Sequence, residues 1–222
     1  MLYLFDIDGT LIDTGGVGMK ALHEAALEVF GEVGPPLDLA GSTDRGIAEC
    51  LHAHFGIPPE RQQIEEFFAA YHVRLNWHLA HGQVTGRVLP GVPEILSALA
   101  SRPGSTLGLL TGNTAAGAAA KLRHFKLDGY FGFGAYGEHH AERNNLGPIA
   151  LERAAAYVGH SFTADQTLVI GDTPKDIACA HAFGARCLAV ATGRFSTAEL
   201  TSHGADVVVE TLVQALDLTV FQ

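Results

Sequence analysis

The sequence predicts an α/β fold: a parallel sheet interrupted, after its first strand, by a helical insertion. Three observations carry this. The chain opens on an apolar run, Leu2 to Phe5, that ends in acids. From Gly86 onward, β-type runs alternate with helical patterns, as parallel βαβ units do. Between Gly15 and about Thr85 there are helical patterns and no convincing strand. Residues 1–14 and 86–222 are therefore expected to form an α/β core and residues 15–85 an inserted helical unit. The connections near Thr14 and Gly86 are the natural hinges.

Each element has a local reason. Leu2 to Phe5 is a short apolar strand, and Gly9 permits a tight exit after it. Beyond Gly15, Gly16 and Gly18, one helical face carries Leu22, Ala26, Val29 and Phe30. Further helical patterns cover roughly Asp44 to His54 and Glu60 to Leu79. Leu89-Pro90-Gly91 turns the chain into a helix bearing Val92, Ile95, Leu96 and Leu99. Then come a strand from Thr106, a helix from Ala115, a strand YFGFGAY from Tyr130 and a helix from about Leu146. TLVIG from Thr167, a helix after Asp176, RCLAVA from Arg186 and DVVV from Asp206 complete the alternation.

Composition narrows the function. The 222 residues are 47% apolar and 17% charged, the texture of an ordinary soluble globular protein. A formal charge of −10 argues against a nucleic-acid backbone as partner. The first strand begins at the N-terminus and no apolar run reaches membrane-spanning length, so a cytoplasmic protein without a membrane partner is expected. Cys50, Cys179 and Cys187 lack CxxC spacing and read as buried, reduced side chains. Nothing in the pattern fixes an oligomeric state.

The chemistry gathers at strand ends, where parallel sheets bind ligands. Asp6, Asp8 and Thr10 follow the first strand; Thr111, Gly112 and Asn113 follow the strand from Thr106; Gly171, Asp172 and Asp176 follow TLVIG. An acid at one strand end is ordinarily a helix cap or a solvated turn. Three such groups in register point instead to a shared site. Two carboxylates at i and i+2 can divide labour between a nucleophile and an acid/base group.

DIDGT, LLTGN and VIGDTPKD, in this order, resemble the motifs of the haloacid dehalogenase-like hydrolase superfamily. The resemblance covers nearly the whole chain, and GDTPKDIACAHAFGA is most similar to the phosphoglycolate phosphatase-like branch. It implies a Rossmann-like, haloacid dehalogenase-like core with a helical cap. It also implies a Mg²⁺-dependent phosphatase that hydrolyses a small phosphorylated metabolite, a phosphoglycolate-like monoester, through an aspartyl-phosphate. Asp6 matches the nucleophile. Asp8 matches the group that protonates the leaving oxygen and then activates water. Asp6, Asp172 and the backbone carbonyl of Asp8 are the implied metal ligands, oxygen donors suited to a hard cation. Asp176, about one helical turn past Asp172, is expected to act behind the ligands or through a water. Thr111, Gly112 and Asn113 are expected to cradle phosphate, and Thr10 to bond locally behind the nucleophile.

The pattern breaks at one place. The family usually carries a lysine, in a Lys-Pro pair, before the helix preceding its last acidic motif; here Gly147-Pro148 stands there. None of the four lysines, Lys20, Lys121, Lys126 and Lys175, occupies that position. Arg143, one turn upstream, is the candidate replacement because its guanidinium can bridge a phosphate oxygen and a carboxylate. Lys175, inside GDTPKD, is the second choice. In the cap, the loop Leu39 to Gly46 resembles the one such caps present to the core, and Arg45 is the candidate for an anionic substrate tail.

Other signals fall away. Gly16, Gly18 and Ala21 satisfy G-x-G-x-x-A, but no strand directly precedes them as dinucleotide binding requires. The His52/His54, His78/His81 and His139/His140 pairs lack a third ligand at fixed spacing and read as surface or helix-end residues, His139 and His140 lying near Arg143. A dehalogenase has no need of Asp8, and a phosphonate-cleaving relative needs a cap lysine, for which Lys20 has no supporting context. A phosphomutase of the same fold and a phosphate-responsive binding module remain the alternatives.

Overall fold

The computed structural model describes residues 1–82 and 84–216. Its main sheet has six strands, all parallel: β1 (Leu2–Phe5), β4 (Thr106–Thr111), β5 (Gly134–Tyr136), β6 (Thr167–Gly171), β7 (Arg186–Val190) and β8 (Val207–Val209). The spatial order is β5-β4-β1-β6-β7-β8, which puts β1 between the two strands that carry the other polar ends. The α/β expectation is met. Strand periodicity sets the two faces. Tyr3, Phe5, Leu168, Ile170, Leu188 and Val190 point into one apolar layer. Leu2, Leu4, Val169, Cys187 and Ala189 point into the other.

Helices α4 (Val92–Ala100), α5 (Ala115–His124), α6 (Leu146–Val158), α7 (Pro174–Ala182), α8 (Thr197–Ser202) and α9 (Leu212–Ala215) complete the layers around the sheet. Between β1 and α4 lie α1 (Val17–Phe30), α2 (Asp44–His54) and α3 (Arg61–His81). These three enclose their own apolar cluster, with Leu51, Phe67 and Leu75 fully buried, and Ala120 of α5 joins it from the sheet side of the chain. Burying each such side chain stabilises by about 1.5–3 kcal/mol. No helix among the described residues is long and apolar enough to cross a membrane.

Several local expectations need correction. Ile12–Asp13 (β2) and Arg87–Val88 (β3) pair antiparallel, so the two connecting chains run side by side. Two-residue strands are too short to show a period in sequence. The strand expected from Tyr130 shrinks to Gly134–Tyr136, because Asp128–Tyr130 makes a 3₁₀ turn and Phe131 packs edge-on against Phe5. The helix expected after Asp176 starts at Pro174, a residue whose fixed φ suits a first turn. Cys50 is exposed, whereas Cys179 and Cys187 are buried. His52 is fully buried, its Nδ1 2.7 Å from the Ala48 carbonyl and its ring edge-on to Phe30. His78 is buried against Glu24 at 2.8 Å. Both lie in the last turn of their helices, as expected, but on the apolar face, so they are buried and not at the surface.

Candidate active site

The three polar strand ends meet at the carboxyl edge of the sheet. The Asp6 amide still bonds the Ile170 carbonyl at 2.9 Å, so the ladder fixes its backbone before the chain turns away. Gly9 makes that turn at φ +82°, and a Cβ there would lie 2.3 Å from Asp172 Oδ2. Gly193 approaches from the other side, where a Cβ would lie 1.8 Å from the same oxygen. Only glycine lets both backbones close on this carboxylate. Thr10 Oγ1 donates to Asp172 Oδ1 at 3.2 Å, so Thr10 reaches across to β6 and does not bond only locally as expected.

Asp6, Asp172 and Asp176 each offer a carboxylate oxygen within 4.8 Å of the others, all three buried. Burial, Arg143 notwithstanding, pushes the Asp6 carboxyl from 3.8 up to about 6, with Asp176 and Asp8 adding to the rise. Burial, then Asp176 and Asp6, push Asp172 up as well. This is concentrated negative charge that a cation would relieve. Asp176 is already engaged: Oδ1 accepts from Arg143, and Oδ2 accepts from the Thr173 amide at 3.0 Å and its hydroxyl at 2.7 Å. That capping box fixes the first turn of α7. Asp172 accepts only from Thr10 among the described residues.

Arg143, in the 3₁₀ turn Arg143–Asn145 before α6, is buried, with Nη2 on Asp176 and 3.2 Å from Asp6 Oδ1. Burial alone lowers its pKa, but Asp176 and Asp6 outweigh that and hold it above the ordinary value. Nη1 donates to the Gly41 carbonyl at 3.2 Å, which ties the site to the loop before α2. Lys175 instead donates to Ser42 Oγ at 2.7 Å and is exposed, away from the acids. Of the two replacements considered for the missing lysine, geometry places Arg143 at the carboxylates. A cavity lies over these acids, and neither His139, exposed beside Glu138, nor His140 lines it.

Asp8 leaves the sheet more openly, its side chain 42% exposed. Its Oδ2 accepts from Lys121 Nζ at 2.6 Å and from Asn113 Nδ2 at 2.9 Å. Lys121 also donates to Asn113 Oδ1 at 2.6 Å, closing a triangle. Lys121 is buried on α5 and escaped the sequence reading. It lies seven residues past Thr114, the N-cap of α5, hence two turns on along one face. It is also the one cation on an otherwise alanine-rich buried face, which was the available signal. Thr111 bonds the Asp6 carboxyl and accepts from Asn113 Nδ2 at 2.8 Å. Gly112 and Asn113 line the cavity; Thr111 lies behind them.

Arg45 does not reach the site. Its Nε bonds Glu49 at 2.6 Å, one turn along α2, and it does not line the cavity. The neighbouring Asp44 does. The Asp44 amide donates to the Gly112 carbonyl at 2.7 Å, and its Oδ2 accepts from the Thr114 amide at 2.7 Å. Thr43 Oγ1 donates to the Ala141 carbonyl and the Arg45 amide to that of Gly137, each at 2.9 Å. The start of α2 is thus bonded to the sheet edge through backbone groups.

Burial pushes the Asp44 carboxyl from 3.8 up to about 6, while Lys121 and the Thr114 amide pull it down and Asp8 pushes it up. Its folded-state pKa therefore lies above the unfolded value. The carboxyl costs nothing below both pKa values and costs up to about 3 kcal/mol once pH exceeds the folded one. Asp44→Asn is expected to gain stability relative to the parent as pH rises from about 4 to about 7. Urea denaturation at both ends checks this, and a difference that does not change with pH contradicts it.

The chain is similar to known proteins over most of its length. The profile described as haloacid dehalogenase-like hydrolase matches residues 3–190. A 5'-nucleotidase of Pseudomonas aeruginosa is 28% identical over 212 residues, 90% of this chain and 86% of that one. A phosphoglycolate phosphatase of Vibrio vulnificus is 27% identical over 234 residues, 98% and 95% of the two chains. The crystal structure of CbbY from Rhodobacter sphaeroides in complex with phosphate has TM-score 0.74 at 20% identity, covering 99% of this chain and 97% of that one, a likeness of fold.

Proposed function

The chain belongs to the haloacid dehalogenase-like hydrolase family, and from that premise we propose that it is a Mg²⁺-dependent phosphatase of small phosphorylated metabolites, working through an aspartyl-phosphate on Asp6. The observation that carries the reading is the buried Asp6–Asp172 pair beside the half-exposed Asp8. Asp6 and Asp172 would hold the metal, with the Asp8 carbonyl; their oxygens are hard donors, and their mutual repulsion favours a cation between them. Bound there, Mg²⁺ supplies the positive charge that offsets repulsion between a carboxylate nucleophile and an anionic phosphate.

The residues divide the remaining work. Asp6 attacks phosphorus and the alcohol departs, leaving the phosphoryl group on Asp6. Asp8 gives the leaving oxygen its proton, then takes one from the water that attacks phosphorus and frees Asp6. Lys121 and Asn113 hold Asp8 by one oxygen, Oδ2, which reserves Oδ1 for the proton. Gly112 and Asn113 contribute to the phosphate cradle. Arg143 keeps Asp6 and Asp176 in place.

We take residues 15–85 as a cap over a core of residues 1–14 and 86–222. In support, Asp44 and Thr43 bond core backbone, and a Cβ on Gly112 would lie 1.9 Å from the Ser42 carbonyl oxygen. Closure of this kind excludes water from the reacting phosphoryl group. The phosphoglycolate-like substrate expected from sequence asked Arg45 to hold a carboxylate, and Arg45 is engaged by Glu49.

Phosphate release from simple monoesters, with Mg²⁺ and with EDTA, tests the reading. Turnover that requires Mg²⁺ and returns on its re-addition is expected. Equal turnover in EDTA, or none in Mg²⁺, contradicts it.

A further inference from the structure

The cavity over the acids, about 310 Å³, holds no cation that is free to meet a negatively charged leaving group among its described lining residues. Three cations line it, and each has a carboxylate partner. Lys121 is bonded to Asp8 at 2.6 Å. Arg143 is buried between Asp6 and Asp176. Arg194 pairs with Asp38 at 2.9 Å, its side chain 63% exposed. The lining from α1 to α3 and the loop before α2 is mostly apolar, with Met19, Leu22, Leu39, Ala40 and Ile47 beside the hydroxyls of Ser42 and Tyr71. The one charged group from that side is Asp44, an anion.

Resting on the phosphatase reading, we propose that this chamber selects monoesters whose leaving group carries no negative charge and presents an apolar face. The physical reason is desolvation. A carboxylate or second phosphate placed among Met19, Leu22 and Ile47 loses much of its water and meets no unpaired cation in return. Asp44, the charged group on that wall, adds like-charge repulsion across a partly dry space. An uncharged alcohol loses little water there and covers apolar surface. Acid-tailed esters such as phosphoglycolate are thus disfavoured by the chamber itself, not merely unassisted by Arg45.

Matched ester pairs separate the two levels of the claim. Ethyl phosphate against phosphoglycolate, and phenyl phosphate against 4-carboxyphenyl phosphate, share the phosphoryl group and differ by a carboxylate. With Mg²⁺ near neutral pH, the uncharged member of each pair is expected to have the higher kcat/KM, by at least about tenfold. Met19→Arg, at a half-buried position on α1, is expected to shrink or reverse that ratio by adding a cation to the chamber. Turnover of both members with no preference, or preference for the acids, overturns the inference and leaves the phosphatase reading intact. A wild-type preference that Met19→Arg leaves unchanged, in a variant that melts like the parent, also overturns it. Absence of turnover with all four esters overturns the phosphatase reading, and the inference with it.

Discussion

Asp6→Asn is expected to lower kcat by about 10⁴- to 10⁶-fold, the scale of loss when a nucleophile that works as part of a unit is removed. The amide is isosteric with the acid, so the backbone bond from the residue 6 amide to Ile170 at 2.9 Å is kept. What is lost is the oxygen that can bond phosphorus. The metal-free protein should fold as well as the parent at neutral pH. A buried carboxyl pushed up to about 6 is a net cost there, although Arg143 loses one of its two carboxylate partners. Phosphate release and thermal melting, measured on the same preparation, separate chemistry from stability. Activity within tenfold of the parent contradicts a nucleophilic Asp6.

Arg143→Met is expected to destabilise the protein by about 3–5 kcal/mol, because it leaves Asp6 and Asp176 buried without their cation. Arg143→Lys keeps the charge but not the fork that reaches Asp6, Asp176 and the Gly41 carbonyl together, so it should lie between the parent and Met. Mg²⁺ should recover part of the loss by supplying charge to Asp6. Adding Asp176→Asn to Arg143→Met should also recover stability, since it removes one unpaired charge. Urea denaturation of these proteins and of the Asp176→Asn single variant, with and without Mg²⁺, reads all of this. Additive losses in the double variant contradict the pairing.

The sequence carried the frame well because its signals are local. Leu2 to Phe5, TLGLL and TLVIG are apolar runs ending in polar residues, and β1 lies between β4 and β6, which brings their ends together. Contacts that depend on which face of a helix turns inward were harder to read. Lys121 and Arg45 both sit in ordinary helical patterns; burial opposite Asp8 selects the first, and a neighbouring Glu49 captures the second. Asp44 read only as the start of a helix, yet its carboxylate crosses to the Thr114 amide. Thr10 looked local because Asp172 is distant in sequence, and only strand order brings them to 3.2 Å. Arg143 is legible because it stands one turn upstream of the place where the family's lysine would be. Its partners, Asp6 and Asp176, come from two other strand ends.

The central claim is a phosphoryl group carried on Asp6, and the most direct test is to trap it. Enzyme is mixed with Mg²⁺ and a turned-over monoester, quenched in acid during the first turnover, digested and read by mass spectrometry. The account predicts a phosphoryl adduct on the N-terminal peptide at Asp6, absent in EDTA and absent in Asp6→Asn. Phosphate released with no adduct at Asp6, or with the adduct on another residue, contradicts it.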